Sequence, residues 1–354
     1  MKTLRSLFSA ALSAFLLFTA CEKVPSTPGP QGLSGLVVLN EGSWGGNNSS
    51  VLAYDQESGT MVNRFYDANG KNLGDTGQDM IVLGDDIYIA VNVSKIIFVT
   101  GRDFRIKKEI IAEKDGQALS PRYFATDGKK VYVTYYEGYL GEIDPAGGYS
   151  VRTTPVGPNP EGVAYAGGRL YVANSGGYNY PDYNNTLSVV DAESFNEVST
   201  IEVNVNPCLV FANAAGTTLY VSSLGNYADA GPKLQGISAA DGSVTDIDCD
   251  GVSAIAYGKG DKLYVLCAGY DQYWNPLPGT VYTYNAATGV KEGTFADGIE
   301  NAYKVSADPD AGYVFVTASD YNTTGDMYVY SSAGEKIAGF DTQGMNPSKG
   351  LVIR

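Results

Sequence analysis

The run Val252-Ser-Ala-Ile-Ala-Tyr-Gly-Lys-Gly-Asp-Lys-Leu-Tyr-Val-Leu-Cys-Ala268 sets two short apolar segments on either side of a Gly-Lys-Gly-Asp turn. Apolar runs of this length around a glycine turn predict a β-hairpin. The same layout recurs at Asp79–Ala90, Arg122–Thr134, Gly162–Ala173, Leu209–Ser222 and Lys304–Thr317. One aromatic marks the second strand each time (Tyr88, Tyr132, Tyr171, Tyr220, Tyr264, Phe315), at intervals of roughly 40–50 residues, the length of a four-stranded propeller blade. A third strand follows each hairpin, as at Thr186–Val190 or Thr280–Tyr284, and then a more polar fourth strand suited to an exposed edge.

The two ends of the chain complete the pattern. Pro347–Arg354 reads as a first strand with no successor, whereas Leu36–Leu39, Ser50–Tyr54 and Val62–Tyr66 read as strands two to four with no predecessor. Leu351–Ile353 innermost beside Leu36–Leu39 would close the ring and hide both sheet edges. The expectation is therefore all-β: a seven-bladed β-propeller of four-stranded blades over residues 35–354, closed by pairing the C-terminal strand with the N-terminal ones. Two stacked β-sandwiches would explain neither the repeat nor the complementary ends.

Residues 1–20 carry Lys2 and Arg5, then the apolar run Leu7–Leu17, and read as a lipoprotein signal peptide too short to span a membrane. Cys21 follows Phe18-Thr-Ala20, which resembles a bacterial lipobox with Phe18 in place of the more usual Leu. Cleavage before Cys21 and acylation there would anchor the protein to a membrane leaflet. Residues 21–34, rich in Pro and Gly, read as a flexible tether.

The formal charge is −15, and no basic stripe exists to neutralise phosphates, so nucleic acid is not an expected partner. Beyond Cys21 the cysteines are Cys208, Cys249 and Cys267, without the spacing of a zinc site or an attached haem. Cys208 and Cys249 are a candidate disulfide within the fourth repeat, in an oxidising compartment. The chain contains no histidine, which excludes Ser-His-Asp and Cys-His nucleophiles, histidine bases and histidine-ligated zinc, haem or cobalt. Asp55-Gln-Glu-Ser-Gly59, Asp144-Pro-Ala-Gly-Gly148 and Asp191-Ala-Glu-Ser194 fall at one turn of successive repeats and read as capped turns rather than as metal sites. No catalytic or metal-binding residue is expected.

In a four-stranded blade, the loop from strand two to strand three emerges on the same face as the loop entering the next blade. These second-to-third loops are long and rich in Tyr, Trp, Asn and Gly, whereas turns on the other face, such as Gly128–Lys130 and Gly167–Arg169, are short and lack aromatics. Tyr and Trp give stiff contact area with a polar tip, and Asn supplies donors and acceptors, the chemistry of a recognition surface. The expected ligand-binding residues are Trp44, Asn47, Gln78, Arg122, Tyr135, Tyr136, Tyr178, Tyr180, Tyr183, Tyr227, Tyr270, Tyr273, Trp274 and Tyr321. Arg122 either forks onto a ligand oxygen or pairs with Glu161 or Glu300.

Leu39-Asn-Glu-Gly-Ser-Trp-Gly-Gly-Asn-Asn48 and Leu73-Gly-Asp-Thr-Gly-Gln-Asp-Met80, on a propeller behind a lipobox, resemble the YncE-like surface lipoproteins of gut bacteria. Within these the chain is most similar to the BtuG-type proteins, which capture cobalamin outside the cell and pass it to an outer-membrane transporter. The resemblance covers essentially all of the chain after the tether. It implies a non-enzymatic protein, lipid-anchored at the outer-membrane surface, that takes cobalamin (vitamin B12) or another corrinoid as ligand, with no resident cofactor, and that hands it to a TonB-dependent transporter. A broad mouth of Tyr and Trp edged with Asn, Gln and Arg suits a large disc with amide arms. With no histidine, cobalt's lower ligand could not be replaced by an imidazole. A glycan fits aromatic stacking as well. The readings from other classes are a calcium- or quinone-dependent propeller enzyme and a scaffold for protein partners.

Overall fold

The hairpin that decides the reading is present in full. Val252–Gly258 pairs antiparallel with Lys262–Cys267, with Ile255 opposite Val265, and the turn takes its left-handed residues from Gly260 and Asp261. The computed structural model describes residues 33–249, 251–271, 273 and 275–354. The signal segment, Cys21, the tether up to residue 32 and Trp274 lie outside the described residues.

The strands form seven four-stranded antiparallel sheets, in six of which the order follows the chain from the innermost strand outward. We number these blades 1 to 6, starting with the innermost strands Gly77–Leu83, Pro121–Thr126, Pro160–Ala166, Pro207–Ala212, Val252–Gly258 and Ala302–Asp308. Blade 7 joins the ends: Pro347–Val352 is innermost, then Leu36–Asn40, Ser50–Asp55 and Thr60–Asn63, with Leu36 opposite Val352 and Val37 opposite Leu351. The protein is thus a seven-bladed β-propeller closed by its own C-terminal strand. The closure is tight, because a Cβ added at Gly350 would stand 2.6 Å from the Phe315 ring of blade 6.

The core lies between the blades. Tyr88, Tyr132, Tyr171, Tyr220, Tyr264 and Phe315 are all buried, each packed among aliphatic side chains of neighbouring sheets. Outer strands such as Asn196–Glu202 face solvent along nearly their whole length, which is where the sequence becomes polar.

Three local features depart from the sequence reading. The outermost strand of blade 7 stops at Asn63, and Arg64–Asn69 turns into a short helix. Asn63 accepts the Tyr66 N–H at 3.1 Å as its N-cap, and Phe65 enters the core against Phe98, so capping and burial outweigh the strand-like Val-Asn-Arg-Phe-Tyr pattern. Leu33, read as tether, is buried with Phe315 and Met327. Lastly, Cys249 lies beside Cys267 rather than Cys208: their sulfurs are 3.4 Å apart, while the Cys208 thiol points to the Asn206 carbonyl.

That geometry gives a chemical prediction. Burial pushes the Cys208 thiol up to about 12, leaving it little thiolate. Treating the folded protein with diamide, a two-electron thiol oxidant, is expected to cross-link Cys249 to Cys267 and leave Cys208 reduced. Peptide mapping by mass spectrometry would show this, and a Cys208–Cys249 cross-link would contradict it.

Candidate functional site

Every innermost strand begins irregularly in the same way. Its pairing with the second strand slips at Gly77/Asp79, Pro121/Phe124, Pro160/Val163, Pro207/Leu209, Val252/Ala254 and Ala302/Lys304, and opposite Leu39/Asn40 in blade 7. Such β-bulges bend a strand and re-aim the extra side chain. In six blades the residue before the bulged strand takes a positive φ: Thr76, Asn159, Asn206, Gly251, Asn301 and Asn346. Asn and Gly tolerate that conformation best.

In five of these six blades the carbonyl of this left-handed residue accepts an N–H from the loop that leaves the second strand of the same blade. Asn92 donates to Thr76 at 2.8 Å, Ser175 to Asn159 at 3.2 Å, Leu224 to Asn206 at 2.9 Å and Ser319 to Asn301 at 2.9 Å. Across the ring closure Glu41 donates to Asn346 at 3.0 Å. Entering loop and second-to-third loop are therefore clamped together on one face, which we call the mouth.

The bulges place Gln78, Arg122, Tyr123, Glu161, Cys208, Tyr303 and Ser348 at the mouth end of the axis. Arg122 forks onto Glu161, Nε to Oε2 at 2.8 Å and Nη2 to Oε1 at 2.7 Å, and its Nη1 donates to Gln78 Oε1 at 2.6 Å. The guanidinium also lies over the Tyr136 ring, 5.0 Å from its centroid. Burial opposes both charges, but the Glu161 carboxylate holds Arg122 above its ordinary range. Of the two sequence options for Arg122, the structure thus realises the pair with Glu161. Deeper in, Lys349 donates to Asp79 at 2.6 Å, and Asp79 also accepts the Phe124 N–H.

Glu41 closes the floor on the opposite side. It accepts the Tyr303 hydroxyl at 2.8 Å, and burial pushes its carboxyl above the usual range although Lys304 and Tyr303 pull the other way. Tyr303 meets the ring of Tyr321 edge-on at 5.5 Å. Burial, with Tyr270 and Glu41 nearby, pushes the Tyr321 phenol up to about 12, so it is a neutral donor at physiological pH.

Above this floor stand the loops. Over blades 4 to 6 they enclose an open cavity of about 780 Å³ walled by Tyr227, Tyr270, Tyr303 and Tyr321, with Lys304 and Asn301 at its base. That volume lies within the roughly 300–1,000 Å³ of small-molecule sites. A narrow axial channel of about 140 Å³ continues below it, lined by Gln78, Asp79, Tyr123 and Lys349 and again reached by Lys304. Tyr183 meets Tyr227 edge-on at 6.1 Å and Tyr180 at 6.0 Å, which carries the aromatic wall onto blade 3. Tyr178 continues it to Tyr136, at 4.8 Å.

The expected site residues divide accordingly. Tyr227, Tyr270 and Tyr321 line the cavity, and Tyr136, Tyr178, Tyr180 and Tyr183 extend its rim. Trp44, Asn47 and Tyr273 are exposed on neighbouring loops of the same face, whereas Gln78 and Arg122 are spent on the buried pair beneath. Tyr135 is not at the surface: it ends a strand, packs in the core between blades 1 and 2 and is only 1% exposed. Glu41, Tyr123, Tyr303 and Lys304 were missed. Their signal was positional, the first turns of chain inside or beside each bulged strand. Among the described residues no group of three or more Asp, Glu or Cys side chains could hold a metal ion. The Asp55 and Asp191 carboxylates cap their own turns, accepting the Ser58 and Ser194 N–H groups at 3.0 and 2.8 Å.

No protein-family model matches the chain, and no curated protein matches its sequence. Solved structures do match. A hydrazine synthase chain from Kuenenia stuttgartiensis superposes with a TM-score of 0.58 at 16% identity, over 72% of this chain and 76% of that one. A chain of a mitotic checkpoint complex superposes with a TM-score of 0.59 at 13% identity, over 98% and 90%. At these identities the likeness concerns the propeller fold alone.

Glu41 supplies a test of the floor. A carboxyl whose folded pKa lies above its unfolded value favours folding when protonated, and that contribution is lost as pH rises from the unfolded value, about 4.3, through the folded one. Glu41→Gln keeps an acceptor for Tyr303 and removes the charge. It is expected to raise the thermal midpoint at pH 8 and to lose that advantage at pH 4. A variant less stable than the parent at pH 8 would contradict the assignment.

Proposed function

We propose that the protein is a non-enzymatic ligand-capture propeller whose aromatic mouth binds cobalamin or a related corrinoid. The observation that carries this reading is the tyrosine-walled cavity over blades 4 to 6, placed on a hydrogen-bonded floor and continued by a half-ring of exposed aromatics. Rings on several walls suit a broad, flat, partly apolar ligand, and the phenols and Asn301 offer donors and acceptors to amide arms. The mouth motifs Leu39–Asn48 and Leu73–Met80, which carry the resemblance to YncE-like surface lipoproteins, lie on loops and strands of this face. The absence of histidine from the whole chain means that the vitamin would be held by its periphery with its own lower base in place.

In this reading Cys21 is the lipidated anchor, residues 21–32 tether the ring, and the protein sits on the outer-membrane surface beside a TonB-dependent transporter that receives the ligand. No helix among the described residues is long and apolar enough to cross a membrane.

Cyanocobalamin is expected to bind one-to-one in calorimetry, with the absorption spectrum of its base-on form unchanged. Replacing Tyr227, Tyr270 or Tyr183 by Ala should weaken binding by about 1–4 kcal/mol at those that are hot spots. Lys259→Ala and Arg169→Ala, on the opposite face, should leave it unchanged. Absence of binding at micromolar concentration removes the corrinoid assignment, and a glycan array then tests the alternative occupant. The anchor is tested separately: Cys21→Ser should move the protein from the membrane to the soluble fraction of expressing cells.

A further inference from the structure

Among the described residues three cations reach the axis of the ring, and two are spent. Arg122 is bonded to Glu161 and Lys349 to Asp79, each within 3 Å of a carboxylate oxygen. Lys304 is the exception, since no carboxylate oxygen among the described residues lies within 4.0 Å of its ammonium. The ammonium lies over the face of Tyr303, 4.9 Å from Nζ to the ring centroid, a cation–π arrangement that leaves the N–H donors available.

The location of this ammonium is specific. Lys304 follows directly on the bulge of blade 6 and is, among the described residues, the one cation that borders both the mouth cavity and the axial channel. Glu41 and Glu161, the two carboxylates whose fields it feels, are engaged elsewhere, Glu41 by the Tyr303 hydroxyl and Glu161 by the Arg122 guanidinium. A half-buried ammonium with no partner at the base of an aromatic cavity is a charge-assisted donor waiting for an acceptor.

We propose that Lys304 is the anion anchor of the mouth: the ligand class is an aromatic or flat apolar body bearing one phosphate, sulfonate or carboxylate group that seats on this ammonium while the body lies against Tyr227, Tyr270 and Tyr321. This rests on the reading of the mouth as a ligand site and adds the charge the ligand must carry. In a chain of net charge −15 this half-buried ammonium also sets the polarity of the cavity, because the surrounding acidic field disfavours anions elsewhere on the surface.

The experiment pairs charged and neutral probes of matched shape. 8-Anilinonaphthalene-1-sulfonate and its uncharged relative N-phenyl-1-naphthylamine are titrated into the full-length protein, with Lys304→Met and Lys304→Arg checked for folding by circular dichroism. The expected result is that Lys304→Met weakens the sulfonate at least tenfold and the neutral probe less than twofold, and that Lys304→Arg restores most of the loss. Equal loss of both probes, no loss of either, or no binding of the sulfonate to the parent protein would overturn the proposal. Cyanocobalamin, which carries a phosphodiester, and cobinamide, which lacks it, repeat the comparison on the vitamin. If neither corrinoid binds while the sulfonate still depends on Lys304, the vitamin assignment fails and the anion anchor stands.

Discussion

The structure depends on one repeated constraint: each innermost strand starts with a bulge, and in every blade but the fifth the carbonyl before it is held by an N–H from the loop that leaves the second strand. A regular strand would alternate its side chains between the two faces of a blade and send none toward the mouth. The extra residue breaks that alternation at one end of the axis only. The inner strands therefore stay apolar and closely packed over most of their length, and the polar groups collect in one layer. The same hydrogen bond brings two loops of six of the blades to a common level, so a functional surface and its floor are set by a backbone rule rather than by individual side chains.

Within that layer, charge is mostly self-compensated. Arg122 with Glu161, and Lys349 with Asp79, are pairs whose desolvation is offset only because the geometry is close and other donors and acceptors complete the shells, Gln78 for the first and the Phe124 N–H for the second. Their main effect is to lock inner strands of different blades to one another. Arg122 belongs to blade 2 and Glu161 to blade 3, while Lys349 of blade 7 reaches Asp79 of blade 1 across the closure. Glu41 and Lys304 differ from these pairs in having no ion-pair partner among the described residues, and both border the cavities.

Blade number, closure and the polarity of the two faces were legible in the sequence because hairpin periodicity and aromatic markers are properties of whole strands. The floor was not. A period-two reading of Pro121-Arg-Tyr-Phe124 or Ala302-Tyr-Lys304 assigns Tyr123, Tyr303 and Lys304 to ordinary strand positions, and one bulge shifts the register of everything before it. The signal that marks the bulge was present as Asn159-Pro160, Asn206-Pro207 and Asn346-Pro347, since proline opens a strand where no ladder N–H is needed and Asn accepts a left-handed backbone. The adjacent pair Tyr135 and Tyr136 shows the same limit from the other side. Both look like loop aromatics, yet the strand runs one residue further than the loop composition suggests, so the first is core and the second meets Arg122.

A nearly seven-fold scaffold has no intrinsic means of reading an asymmetric ligand, so discrimination has to come from what differs between blades. Here the second-to-third loop of blade 2 is only a tight turn at Tyr136–Gly138, whereas those of blades 3 to 5 run long and carry most of the exposed tyrosines. The cavity is accordingly displaced from the axis toward blades 4 to 6, while the Arg122–Glu161 pair closes the floor under blades 2 and 3. Because the loops are clamped at their bases by the backbone bonds, their rings can meet a ligand without the sheets moving, and the ordering cost on binding falls mainly on exposed side chains. One-sided loop growth on a self-paired floor thus converts a symmetric ring into a directional site, with Lys304 as the charge that distinguishes its two ends.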